Sequence, residues 1–211
     1  NDLKRQYDFA EKALEKEDFA KARKAYLSIL SLGAKHLVSK ESYIDLVMRL
    51  AGVEARLENF ELADERLNAL LDENLEDSLF ILVQSLRAQL ETQQGNTKKA
   101  YLLLQDLQKK IVIEEWPAEE RSFFMGLEYT LGQHYGDLLR NAERLYSSGL
   151  YEESVALYEE VLEAIALGLY PEVNQDKEKE IRIQKLYLRL AEAHFSYGND
   201  AIRYFISFFT N

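Results

Sequence analysis

The sequence predicts an all-α chain of about five helical hairpins stacked as a solenoid, with one extended helix in the middle. Composition, periodicity and internal repetition point there. Hydrophobic residues make up 47% of the 211 residues, with only nine Gly and two Pro, a balance that suits helices around a buried core. Apolar residues recur at helical spacing in paired stripes, each pair split by a short turn. The pairs recur at roughly even intervals: 41 residues separate Phe19 from Phe60, 37 separate Ala63 from Ala100, and 54 separate Ala100 from Ser154. The whole chain, 1–211, is expected to form one helical-repeat domain with units at about 3–33, 39–73, 75–112, 118–168 and 174–211.

In the first unit Tyr7, Ala10, Ala13 and Leu14 form one apolar face and Phe19, Ala22, Tyr26, Ile29 and Leu30 a second. Glu17-Asp18 divides them, Asp18 is placed to N-cap the second helix, and Gly33 to end it. The second unit repeats the order with Leu50, Ala51, Phe60, Ala63, Leu67, Leu70 and Leu71. In the third, Leu79, Leu82, Val83, Leu86, Ala88 and Leu90 precede the turn Gly95-Asn96, and Ala100, Leu104 and Leu107 follow. Thr97 stands there where the other units carry an aromatic.

Trp116-Pro117 interrupts the array, because the residue before Pro is pushed out of helical dihedrals while Pro suits the first position of a new helix. A long helix is expected over about 118–148, roughly 45 Å at 1.5 Å per residue, unless Gly132 or Gly136 kinks it. It reads as a first helix extended at its N-terminal end and projecting beyond the stack. Residues 142–162 hold the clearest hairpin, with Ala142, Leu145 and Tyr146 before Gly149 and Tyr151, Ser154, Val155, Tyr158, Val161 and Leu162 after it.

Gly168-Leu169-Tyr170-Pro171 ends that unit, and the charged run 174–180 reads as the solvated first turns of the next helix, continued by Ile181, Leu186, Leu188, Leu190 and Ala191. After a turn at Tyr197-Gly198-Asn199, the last helix (200–210) is apolar on two faces, Ala201/Phe205/Phe208 and Ile202/Ile206/Phe209. A solenoid end of that kind has to be covered. Either the chain continues into a cap or it forms a homo-oligomer through this aromatic helix. The first residue, Asn1, leaves room for an upstream start, signal peptide or lipid anchor, so the compartment, cytoplasm or periplasm, stays open.

Thirty-seven acidic against twenty-six basic residues give a net charge of −11, which disfavours nucleic acid and anionic lipid surfaces as partners. No run is apolar enough for direct membrane insertion. The absence of Cys excludes disulfides, thiolate metal sites and a cysteine nucleophile. His36, His134 and His194 have no acid or His at ligand spacing on their own helical faces, and the paired acids Glu114-Glu115, Glu119-Glu120, Glu152-Glu153 and Glu159-Glu160 point about 100° apart on a helix. With no phosphate loop and no nucleophile elbow either, the expectation is a protein without enzymatic activity, metal or cofactor.

The paired small residues Ala10/Ala22, Ala51/Ala63, Ala88/Ala100, Ala142/Ser154 and Ala191/Ala201, with their turn residues and aromatics, resemble the tetratricopeptide repeat (TPR), whose period is about 34 residues. The resemblance covers nearly the whole chain. It implies a right-handed superhelix whose concave groove, lined by the first helix of each hairpin, holds a peptide or helix. Projected onto this chain, the groove positions are Tyr7, Glu11 and Leu14; Met48, Gly52 and Arg56; Ser85 and Gln89; Leu139, Glu143 and Tyr146; and Leu188, Glu192 and Phe195. Co-chaperones of the family grip a C-terminal carboxylate with a Lys and Asn pair in the first repeat. Tyr7 and Glu11 stand there, so that clamp is missing. The function implied is an acidic scaffold or adaptor that binds a protein or peptide, in a setting such as a bacterial envelope or secretion assembly. The alternative is a peptide-sensing helical-repeat domain of a regulator.

Overall fold

A computed structural model describes residues 2–171 and 176–197. Ten α-helices and two single 3-10 turns make up the secondary structure of these residues, and no strand occurs among them. The chain divides into two compact units, residues 1–121 and 122–211.

The first unit is built from three hairpins. α1 (Asp2–Glu15) pairs with α2 (Phe19–Ser31), and a four-residue helix that the sequence did not suggest, α3 (Ala34–Leu37), leads on to the second hairpin. That hairpin is α4 (Lys40–Arg56) with α5 (Phe60–Leu70), and the third is α6 (Asp77–Gln93) with α7 (Thr97–Gln108). α8 (Ala118–Ser147) runs unbroken for 30 residues into the second unit, where α9 (Tyr151–Ala166) folds back on it and α10 (Asp176–Tyr197) packs beside α9.

One turn design closes each of the four described hairpins. The second residue after the first helix takes a left-handed conformation: Glu17 at φ 56°, Glu58 at 60°, Gly95 at 80° and Gly149 at 78°. The next residue then donates its N–H back to the carbonyl five positions earlier. These bonds run Asp18 to Ala13 (2.9 Å), Asn59 to Glu54 (2.9 Å), Asn96 to Glu91 (2.8 Å) and Leu150 to Leu145 (2.9 Å). That bond satisfies a carbonyl at the end of one helix, and the same residue starts the next, so the chain reverses within three or four residues. The left-handed residues are separated by 41, 37 and 54 positions, the intervals read from the sequence.

Where paired helices pack, the small residues are buried. Ala10, Ala22, Ala63, Ala88, Ala100, Ala142 and Ser154 have no exposed surface, and Ala51 is 2% exposed. Around them α1, α2 and α4 share a core centred on Tyr26, Ile29, Leu46 and Leu50, and α4, α5 and α6 share another through Val47, Leu67, Leu70 and Val83. The aromatic missing at Thr97 is replaced from elsewhere: Tyr101, one turn into α7, is fully buried.

The start of the long helix, expected to project beyond the stack, is buried along one face. Phe124, Leu127, Leu131 and Tyr135 form a stripe along the N-terminal half of α8 at no more than 5% exposure, so that half is a packing element. Trp116 is buried beside its start, with the indole N–H donated to the carbonyl of Ile111 at 3.0 Å. Pro117 caps the helix, accepting from the N–H of Arg121 at 3.0 Å. The Tyr170 ring packs on Tyr135 of α8 at 5.8 Å. The two-faced helix expected over 200–210, with Ala201 and the homo-oligomer it suggested, lies outside the described residues. No described helix is long and apolar enough to cross a membrane.

Candidate binding surfaces

In the first unit the projected positions fall on two surfaces of different character. Met48, Gly52 and Arg56 on α4 and Gln89 on α6 line one depression of about 170 Å³, floored by Leu67 of α5 and Leu86 of α6. Four groove positions are thus brought together by packing two first helices side by side. Arg56 is exposed, with its guanidinium over the Phe19 ring at 5.8 Å. Ser85, projected onto the same surface, has no exposed area and faces the interior.

Tyr7 and Glu11 on α1 are engaged by their own chain. The Tyr7 hydroxyl donates to Asp45 at 2.8 Å, the Arg49 guanidinium lies over its ring at 5.8 Å, and its edge meets Tyr26 at 6.2 Å. Burial, then the hydrogen bond to the Asp45 carboxylate, pushes the Tyr7 phenol up to about 12. Glu11 accepts from the Tyr26 hydroxyl and from Arg49 at 2.9 Å. These residues tie α1 to α4, and Leu14 packs on the same core. Tyr7 still borders an open depression of about 700 Å³ whose rim carries Asp8, Glu41 and Asp45.

In the second unit Leu139 and Glu143 of α8 and Leu188 and Glu192 of α10 line a cavity of about 450 Å³, closed behind by Ile165 and Tyr170. Arg182, Lys185 and Arg189 complete it. Arg189 donates to Glu192 at 3.0 Å, lies 3.5 Å from Glu143 and covers the Tyr146 ring at 4.7 Å. Tyr146 in turn donates weakly to Glu192 at 3.3 Å and meets Tyr151 edge-on at 5.4 Å. Phe195, two turns beyond Leu188, is 78% exposed.

The three basic residues of this cavity were not picked out by the sequence reading, which singled out only Arg56 as a well-placed cation. Their signal was present as the spacing 182, 185, 189, which keeps them on one helical face. The cross-helix approaches of His134 to Glu160 (3.9 Å) and His194 to Glu159 (4.0 Å) were likewise invisible to a reading made helix by helix. Neither makes a metal site: no group of three ligating side chains occurs among the described residues.

No family model matches the chain, and no curated protein does. Solved structures similar to it include the MamA protein, at 13% identity over 98% of this chain and 89% of that one, with a TM-score of 0.39. The TPR2AB domain of yeast Sti1, solved as a complex with pHSP90, has 15% identity, 92% and 84% coverage and a TM-score of 0.49. The TPR-like repeats of a Podosopora anserina putative kinesin light chain have 17% identity, 98% and 92% coverage and a TM-score of 0.42. In fold the chain is TPR-like. That statement stands on the hairpins themselves: antiparallel helix pairs, one recurring turn, and a small residue from each helix buried where they pack.

Proposed function

We propose that the chain is an interaction scaffold that holds a protein or peptide segment against the first helices of its hairpins. The observation that carries this reading is the convergence of projected groove positions on accessible concave surfaces: Met48, Arg56 and Gln89 on one, and Leu139, Glu143 and Leu188 on another. Such surfaces combine apolar contact with a few placed polar groups, which is the make-up of a ligand site. The buried polar groups elsewhere serve folding, and no set of acid, base and nucleophile converges at either surface.

Panning the chain against a random short-peptide library tests the reading. Peptides enriched on the native chain should be lost to Leu139→Asp with Leu188→Asp, or to Met48→Asp with Gln89→Ala, at unchanged helical circular dichroism. Enrichment that ignores both pairs of substitutions refutes it.

A further inference from the structure

We infer that the cavity between α8 and α10 takes an acidic peptide segment, an apolar side chain entering between Leu139 and Leu188 while its carboxylates meet Arg182 and Lys185. The inference rests on the scaffold reading above and adds the chemistry of the partner.

The cavity is electrostatically polarised. At one end Arg189 faces both Glu143 and Glu192 and stacks on Tyr146, so one of the two negative charges that could repel an incoming carboxylate is offset there. Toward the start of α10, Arg182 and Lys185 line the same wall and make no hydrogen bond or ion pair with any described residue. Arg182 is half-buried, and among the described residues no anion pairs with it; a partly desolvated guanidinium is stabilised by an incoming carboxylate.

The surroundings sharpen this. Three half-buried arginines of the first unit are paired within it, Arg23 and Arg66 to Glu54 and Arg87 to Asp64. On a protein of net charge −11, two cations that no described residue pairs, beside a concave apolar wall, are a local reversal of sign. Leu139, Ile165 and Leu188 lower the effective dielectric there, so an ion pair made at the cavity is stronger than one made on open surface. A volume of about 450 Å³ lies within the range of side-chain and small-ligand sites. A basic segment would meet Arg182 and Lys185 as like charges, and a purely apolar one would leave them unpaired.

The same library panning, read by sequence, tests this with the full chain. The enriched peptides should carry an apolar residue flanked by Asp or Glu. A fluorescein-labelled member should bind roughly tenfold more weakly to Arg182→Glu with Lys185→Glu, and more weakly as salt rises. A copy of that peptide with Lys for each acid should prefer the charge-reversed chain. Enriched peptides without acidic bias, or an affinity that the reversal leaves unmoved, overturn the inference. If those peptides are nonetheless lost to Leu139→Asp with Leu188→Asp, the scaffold reading survives alone. If nothing is enriched over that control, both fall.

Discussion

Arg23 on α2 donates from Nε to both carboxylate oxygens of Glu54 on α4, at 3.0 and 2.9 Å, across the boundary between two hairpins. Glu54 has no exposed surface and also accepts from Asn59 at 2.8 Å and Arg66 at 3.1 Å. One buried carboxylate therefore holds its own turn and clasps the preceding hairpin. The third hairpin reuses the device more lightly: Glu91 accepts from Asn96 at 2.9 Å and pairs with Lys99 at 2.5 Å.

Removing the hub should be costly. Glu54→Gln leaves Arg23 and Arg66 facing a neutral group in a site shaped for charge, and we expect a loss of about 2–3 kcal/mol. Glu91→Gln, whose Lys99 partner is mostly in water, should cost less than about 1 kcal/mol. Urea unfolding of the two variants checks the order; equal losses would refute the hub.

Two groups set opposite pH limits. Burial pushes the Glu54 carboxyl up, but hydrogen bonds from Arg23, Asn59 and Arg66 outweigh it and hold the group below its usual value of 4.5. Its contribution is thus complete above 4.5 and is lost as pH falls through the lowered value. Tyr7 is raised from 10.0 to about 12, so its contribution is complete below 10.0 and lost as pH rises towards about 12. Thermal melts across pH should show the alkaline loss diminished in Tyr7→Phe and the acid loss diminished in Glu54→Gln.

The turns differ in strain although they share a geometry. Glu58 sits at φ 60° in a conformation that side chains resist, whereas Gly95 occupies the same place at φ 80° without penalty. Glu58→Gly should stabilise the chain by about 0.5–1 kcal/mol. Gly95→Ala should destabilise it by about 1 kcal/mol, and purely through the backbone, since a Cβ there meets nothing within 4 Å. Paired melting curves measure both.

Where small residues pack between helices, volume is the constraint. Ala22→Leu and Ala63→Leu, at positions without exposed surface, should each cost about 1–3 kcal/mol by forcing their hairpins apart. Gly52→Leu, at an exposed position inside α4 where an added Cβ meets nothing within 4 Å, should instead stabilise by about 0.5–1 kcal/mol. Denaturation midpoints of the three variants decide it.

Much of this architecture was legible in the residues. Ala10 and Ala22, or Ala88 and Ala100, mark the closest helix packing because only small side chains fit there, Asp18 marks the first turn because its side chain caps α2, and Gly95 the third because it takes a left-handed conformation freely. Of the projected positions, Met48 and Gln89 share one depression because it is lined from both α4 and α6. Tyr7 and Glu11 looked equally available, yet Asp45, Arg49 and Tyr26 had prior claim on them. The burial of the start of α8 was not legible because the side chains covering a stripe need not be near it in sequence.

By itself the sequence determined helices, turns and their repeat, since periodicity and capping are local properties carried by residues within a few positions of one another. Tertiary structure alone decided which charges are spent. Arg23 and Arg66 are consumed by Glu54 and Arg189 by Glu143 and Glu192, while Arg182 and Lys185, which pair with no described residue, line a cavity. Ion pairing depends on distances between separate helices, and no spacing along one helix encodes those.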